Sequence, residues 1–245
     1  MTIGKTAPQV PPIPAMNGQS TIKKVIKMAY KILFMGDSIT DANRNYNDDN
    51  NDGCGYATMI EGYLNCKYPF KYEMLNRGIG GHKLADIYSR MQKDIIHVNP
   101  DFMSILVGVN DVWHEIDWQN GTSADSYEKL YDQMISEIKE RLPKTKLMII
   151  QPYVVKGCST LPTEQDPERW NKFRLGVDLV AAAAKRVAEK HGIYFLPLQL
   201  IFDEAQKNAP SDYWTLDGVH PSAAGHELIK NEWLAAFGKI TGEPI

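Results

Sequence analysis

Lys31-Ile32-Leu33-Phe34-Met35-Gly36-Asp37-Ser38-Ile39-Thr40 begins as an apolar run and ends on a glycine, a carboxylate and two hydroxyls. A short apolar run without polar alternation reads as a strand buried on both faces, the kind found in parallel sheets. The closing glycine permits a tight turn. That turn sets the Ser38 hydroxyl at the strand's carboxyl end. Taken alone, an Asp-Ser pair after a strand is more often a turn or a helix N-cap than a nucleophile.

Working outward, further apolar runs occur at Tyr72 to Leu75, Phe102 to Val107, Leu147 to Ile150 and Ile193 to Leu196, each bounded by Gly, Asn, Asp or Pro. Between and after them, apolar residues three or four apart predict helices at Tyr56 to Cys66, Leu84 to Ile96, Ala124 to Arg141, Arg169 to Lys190 and Ser222 to Phe237. Residues 112 to 123 and 152 to 168 read as the longest loops. Strand and helix alternate, so the expected fold class is α/β: a three-layer α/β/α sandwich on a mainly parallel, five-stranded sheet. Pro8, Pro11, Pro12 and Pro14 make residues 1–20 an extended arm, and residues 21–245 are expected to form one domain. Internal repeats are absent from the sequence.

Composition narrows the function classes. With 245 residues and 43% hydrophobic content, the chain is long enough to bury a sizeable core. Its net charge is −3 with no long Lys/Arg run, which argues against a nucleic-acid partner. Lys23, Lys24 and Lys27 are too short a cluster for a membrane anchor, and no window approaches a membrane span. The start lacks an apolar leader region, so the chain reads as cytoplasmic. Cys54, Cys66 and Cys158 cannot all pair and lack metal or redox spacing; they read as buried free thiols. His97, His114, His191 and His226 have no ligand spacing, so no metal is expected.

Open α/β sheets collect ligands beyond the carboxyl ends of their strands. The second strand is followed by Asn76-Arg77-Gly78-Ile79-Gly80-Gly81 and the third by Gly108-Val109-Asn110-Asp111, both converging on that edge with Ser38. A glycine lets a backbone N–H approach an oxyanion, and an asparagine amide adds a second donor. Each stretch singly is also an ordinary strand-to-helix turn. Asp217-Gly218-Val219-His220-Pro221-Ser222 precedes the last helix. There a carboxylate three residues ahead of a histidine can hold Nδ1–H and leave Nε2 facing a hydroxyl.

These four stretches, in this order, resemble the blocks of the SGNH hydrolase family, named for its Ser, Gly, Asn and His. The resemblance runs from Lys31 to the last helix. It implies an SGNH, flavodoxin-like sandwich with Ser38 as nucleophile, His220 as acid/base and Asp217 as its orienting carboxylate. It also implies an oxyanion hole of the Ser38 and Gly81 N–H groups and the Asn110 amide, with Asp37 beside the nucleophile bracing its loop and taking part in substrate binding. The neighbouring Gly80 leaves the choice of glycine open, and His82-Lys83 departs from the small polar residue and Thr of many relatives.

The longer runs Gly108 to Trp113 and Asp217 to His226, together with Glu164-Gln165-Asp166-Pro167, look most like carbohydrate acetylesterases, especially intracellular acetylxylan esterases. Trp113, His114 and Trp214 are the expected substrate contacts, because flat aromatic faces stack on sugar rings; equally they are rim, core or interface aromatics. The implied chemistry needs no cofactor. A lysophospholipase or thioesterase of the same fold, and a catalytically silent glycan-binding member, remain alternatives. The expected partner is a small acylated molecule, and homo-oligomer formation is an expectation from family habit alone.

Overall fold

Ile32, Leu33, Phe34 and Met35 are fully buried, as an apolar run covered on both faces must be. The computed structural model of the chain describes residues 29–245; the expected arm over residues 1–20 lies outside the described residues. Strand β1 (Tyr30–Gly36) is an inner strand of a five-stranded parallel sheet, with β2 (Tyr72–Gly78) on one side and β3 (Phe102–Leu106), β4 (Lys146–Ile150) and β5 (Tyr194–Leu196) on the other. The order β2-β1-β3-β4-β5 reverses direction at β1. A crevice opens at such a switch point, beyond the carboxyl ends of β1 and β3.

The helices in chain order are α1 (Ser38–Asp41), α2 (Tyr56–Lys67), α3 (Leu84–Met91), α4 (Val109–Trp118), α5 (Ala124–Arg141), α6 (Arg169–His191), α7 (Leu198–Ala205), α8 (Ser211–Trp214) and α9 (Ala223–Thr241). Helices α2 and α9 pack together, and α6 packs on α5 and α4, with α3 against α5. On the α2/α9 side, Phe34 meets the rings of Tyr56 and Trp233, and Phe102 meets Trp233 and Phe237. Trp233 and Phe237 lie one helical turn apart and stack at 5.0 Å. This aromatic cluster fixes α9, and with it the loop that carries His220.

The five expected strands and the three-layer α/β/α arrangement are present, with ends moved by a few residues. Three expectations are corrected. The predicted helix Leu84 to Ile96 is α-helical only to Met91 and continues as a wider π turn over Gln92–Ile96, in which the His97 N–H reaches the Gln92 carbonyl at 3.0 Å. The predicted loop 112–123 is helix α4 over its first part, because Val109 and Val112 are buried and Ile116 packs against the core on the same face. The three cysteines are also exposed rather than buried. Cys54 sits in a polar loop, where its thiol donates to the Ala42 carbonyl at 3.2 Å, Cys66 faces outward on α2, and Cys158 lies in the loop after β4. No described helix is long and apolar enough to cross a membrane.

Truncating the fully buried Trp233 leaves a cavity under three aromatic neighbours. Trp233→Ala is expected to lower unfolding free energy by about 3–5 kcal/mol, read as a shift in the midpoint of a urea titration with little change in slope.

Candidate active site

Parallel register sets the site. Gly36 is abreast of both Gly78 and Leu106, so three strands end side by side. At Gly36 a Cβ would lie 2.6 Å from the Leu106 carbonyl oxygen, which leaves room for hydrogen alone. The chain then turns into α1, where Asp37 is the N-cap and its Oδ1 accepts from the Ile39 N–H at 3.0 Å. Asp37 is 1% exposed and its Oδ2 has no partner among the described residues. It lies beneath Ser38 at the N-cap of α1, with almost none of its surface open to solvent. Burial also pushes its carboxyl up to about 7.

The loop after α8 brings the histidine in. Leu216 N–H bonds back to the His220 carbonyl at 2.7 Å, and the Asp217 Oδ1 accepts from the backbone N–H groups of Val219 at 2.9 Å and His220 at 2.8 Å. This local Asx turn leaves Oδ2 free to meet His220 Nδ1 at 2.8 Å. His220 Nε2 is 2.8 Å from Ser38 Oγ. The Tyr153 hydroxyl, fully buried, ties the loop down by donating to the Val219 carbonyl at 2.9 Å. The structure thus brings the three side chains singled out in the sequence into one hydrogen-bonded line.

Electrostatics follow from that line. Burial raises the Asp217 carboxyl, but hydrogen bonds from the His220 ring and from two backbone N–H groups outweigh it and bring it down to about 2. The Asp217 hydrogen bond in turn raises the His220 imidazole above its ordinary 6.5. A carboxylate ionised at neutral pH thus lies against a histidine placed to take a proton from Ser38.

The opposite wall supplies donors. Ile79 to His82 form a turn closed by His82 N–H to the Ile79 carbonyl at 3.3 Å, with Gly81 in third position at φ +78°. A turn of this type needs a positive φ there, which glycine adopts without strain. The two candidate glycines are distinguished by their partners: Gly80 N–H is bound to Asp41 Oδ2 at 2.9 Å, whereas no described residue accepts from Gly81 N–H. Asn110 uses one amide hydrogen on the His82 carbonyl at 3.1 Å, and its second has no protein acceptor among the described residues.

Residues 34–228 match the GDSL-like lipase/acylhydrolase family. The chain belongs to this family. It is 31% identical over 218 residues to an acetylxylan esterase of Geobacillus stearothermophilus, covering 85% of this chain and 94% of that protein. Among solved structures it resembles a GDSL-like lipase of Parabacteroides merdae, with TM-score 0.78, 32% identity and coverage of 85% and 95% of the two chains. It also resembles the Geobacillus acetylxylan esterase, with TM-score 0.74, 31% identity and coverage of 85% and 94%. The family and the esterase relative make this GDSL-like acylhydrolase a carboxylic ester hydrolase.

The expected substrate contacts separate. In this acylhydrolase Trp113 faces the histidine, ring centroids 6.1 Å apart, with its indole N–H held by Asp117 at 2.6 Å. His114 lies edge-on to the exposed Trp118 at 4.8 Å. Trp214 directs its indole N–H to the Ala209 carbonyl at 3.1 Å and packs against Tyr213, which makes it a support for the loop ahead of Asp217. Glu164-Gln165-Asp166-Pro167 forms the turn into α6, where Arg169 bonds the Ser159 carbonyl at 2.7 Å and grips Asp117 with both terminal nitrogens.

Sequence reasoning missed Ser159, whose hydroxyl donates to Asp217 Oδ2 at 3.2 Å, and Asp41 and Tyr46, which hold the glycine turn. Ser159 stands in a loop without pattern. Asp41 directly follows the Gly36 to Thr40 run, and a second carboxylate one helical turn from Asp37 was an available signal.

His226 is a structural residue: its Nδ1 accepts from the first N–H of α2 at 3.1 Å, and burial lowers it to about 4. Among the described residues no group of three or more His, Cys, Asp or Glu is placed to hold a metal.

The His220 ring is expected to titrate above 6.5 in the folded chain. Asp217→Asn removes the raising partner, and the ring should then titrate at lower pH, as followed by NMR of the imidazole protons.

Proposed function

We propose that this ester hydrolase removes short acyl groups, acetyl foremost, from a carbohydrate such as acetylated xylo-oligosaccharide, with Ser38, His220 and Asp217 as its catalytic triad. The observation that carries the mechanism is the Ser38–His220–Asp217 line, with 2.8 Å at each of its two links. In this reading Ser38 Oγ attacks the ester carbonyl carbon while His220 Nε2 accepts the hydroxyl proton. The carbonyl oxygen, now an oxyanion, is met by the N–H groups of Ser38 and Gly81 and the Asn110 amide. As the tetrahedral species collapses and its bond to the sugar oxygen breaks, His220 gives the proton to that oxygen, which leaves as a hydroxyl. Water, activated by the same imidazole, then releases acetate from Ser38.

The substrate class is supported by the 31% identity to an acetylxylan esterase along most of both chains. Trp113 adds to it, as a flat ring whose indole N–H is already held by Asp117, presenting a rigid wall beside His220. A rigid wall at that place suits a small acyl group and a ring-shaped leaving group.

Hydrolysis of p-nitrophenyl acetate, butyrate and octanoate, with acetate release from acetylated xylo-oligosaccharides, tests the reading. Acetate should be preferred and Ser38→Ala inactive; preference for octanoate would exclude it. Asn110→Ala is expected to lower kcat about a hundredfold to a thousandfold while the chain stays folded. Because only neutral His220 accepts a proton, kcat/KM should fall as pH drops through a pKa above 6.5, and the midpoint should move to lower pH in Asp217→Asn.

A further inference from the structure

Asp41 ends α1, one turn beyond Asp37, and its residue is 7% exposed. Its carboxylate accepts three hydrogen bonds. Oδ2 receives the Gly80 N–H at 2.9 Å and the Tyr46 hydroxyl at 2.5 Å, and Oδ1 receives the Arg44 N–H at 3.2 Å. Other bonds bind the same glycine turn to α1: Arg44 Nε donates to the Gly78 carbonyl at 2.7 Å, and Asn76 bridges from the Gly78 N–H at 2.8 Å to the Thr40 carbonyl at 2.6 Å. The Arg44 guanidinium lies 4.3 Å from the centroid of the Tyr46 ring and holds that ring in place.

Position gives this cluster its meaning. A Cβ placed on Gly80 would lie 3.6 Å from Asp41 Oδ2 and 3.8 Å from Ser38 Cβ, so the carboxylate and the serine flank the same residue. A carboxylate close to a developing oxyanion opposes it electrostatically, and burying one is costly unless it is well bonded. Its retention therefore calls for a geometric role. All three neighbours are donors, and only an acceptor-only group serves them all; an asparagine in its place would turn an NH2 against at least one.

We propose that Asp41, with Tyr46 as its outer partner, is a positioning residue of the oxyanion loop: by binding Gly80 N–H it sets the turn so that Gly81 N–H faces the reacting carbonyl oxygen. The inference rests on the Ser38 esterase reading above. Asp41 touches neither substrate nor reacting atoms. Tyr46, 57% exposed at the rim, keeps Oδ2 from swinging away from the glycine.

The test compares wild type, Asp41→Asn and Tyr46→Phe on p-nitrophenyl acetate, with functional sites counted by an organophosphorus fluoride. Asp41→Asn should lower kcat per labelled site about a hundredfold, with KM little changed and the acid limb of the pH profile unmoved, since His220 keeps its partners. Tyr46→Phe removes one of the two donors on Oδ2 and should lower kcat in the same manner by several-fold. Unchanged kcat per labelled site in Asp41→Asn, with fewer sites labelled, would reduce Asp41 to a folding role and overturn the proposal. Should Asp41→Asn not fold, Tyr46→Phe decides: wild-type kcat in that variant overturns the proposal too. Failure of the underlying reading looks different, because wild type itself would then show no Ser38-dependent hydrolysis.

Discussion

At Gly36 strand β1 is flanked so tightly that the Leu106 carbonyl oxygen occupies the space a side chain would need. The parallel register that forces this contact also lines up Gly36, Gly78 and Leu106, and so brings three separate strand ends to one edge. What each strand carries next then falls within reach of the others: Ser38 after β1, the glycine turn after β2, Asn110 after β3. The residues of the proposed mechanism are up to 182 positions apart in the chain. Strand pairing alone brings Ser38, the glycine turn and Asn110 together, whereas the loop of Asp217 and His220 is held there by the packing of α9 and by the Tyr153 hydroxyl.

A second layer of interactions selects which atoms stay free. Asp217 uses Oδ1 on its own loop and offers Oδ2 to His220. Gly80 N–H is taken by Asp41, and one Asn110 hydrogen by the His82 carbonyl. What remains without a protein acceptor among the described residues is Gly81 N–H and the other Asn110 hydrogen. In the proposed mechanism these two donors, held in place by their bonded neighbours, are the ones offered to the substrate oxygen. Arg169 extends the same logic outward: it grips Asp117, which orients Trp113, and it bonds the carbonyl of Ser159, whose hydroxyl reaches Asp217.

Buried parallel strands announce themselves as apolar runs, and all five were legible on that basis. The Asp217 and His220 pair was legible because its geometry is local, an Asx turn of four residues. Helix α4 was not, since Gly108-Val109-Asn110-Asp111 carries turn chemistry at its start and Trp113, His114 and Trp118 obscure the Val109, Val112, Ile116 stripe. The cysteines were misjudged because a free thiol's usual burial is a packing tendency, and Cys54 and Cys158 stand in polar loops that pack little. Ser159 and Tyr46 stand in long irregular segments, and Arg169, at the start of α6, acts through partners far away in the sequence. No periodicity in the sequence encodes such contacts, so they become visible only when the chain is folded.

The central claim is that Ser38, and no other hydroxyl or thiol, is the activated nucleophile. Labelling the native protein with an organophosphorus fluoride and mapping the adduct by peptide mass spectrometry tests it most directly. The account predicts one adduct per chain, on the peptide carrying Gly36 to Thr40, and its loss in Ser38→Ala and after unfolding. An adduct at another residue, or a native chain that takes up no label, would contradict it.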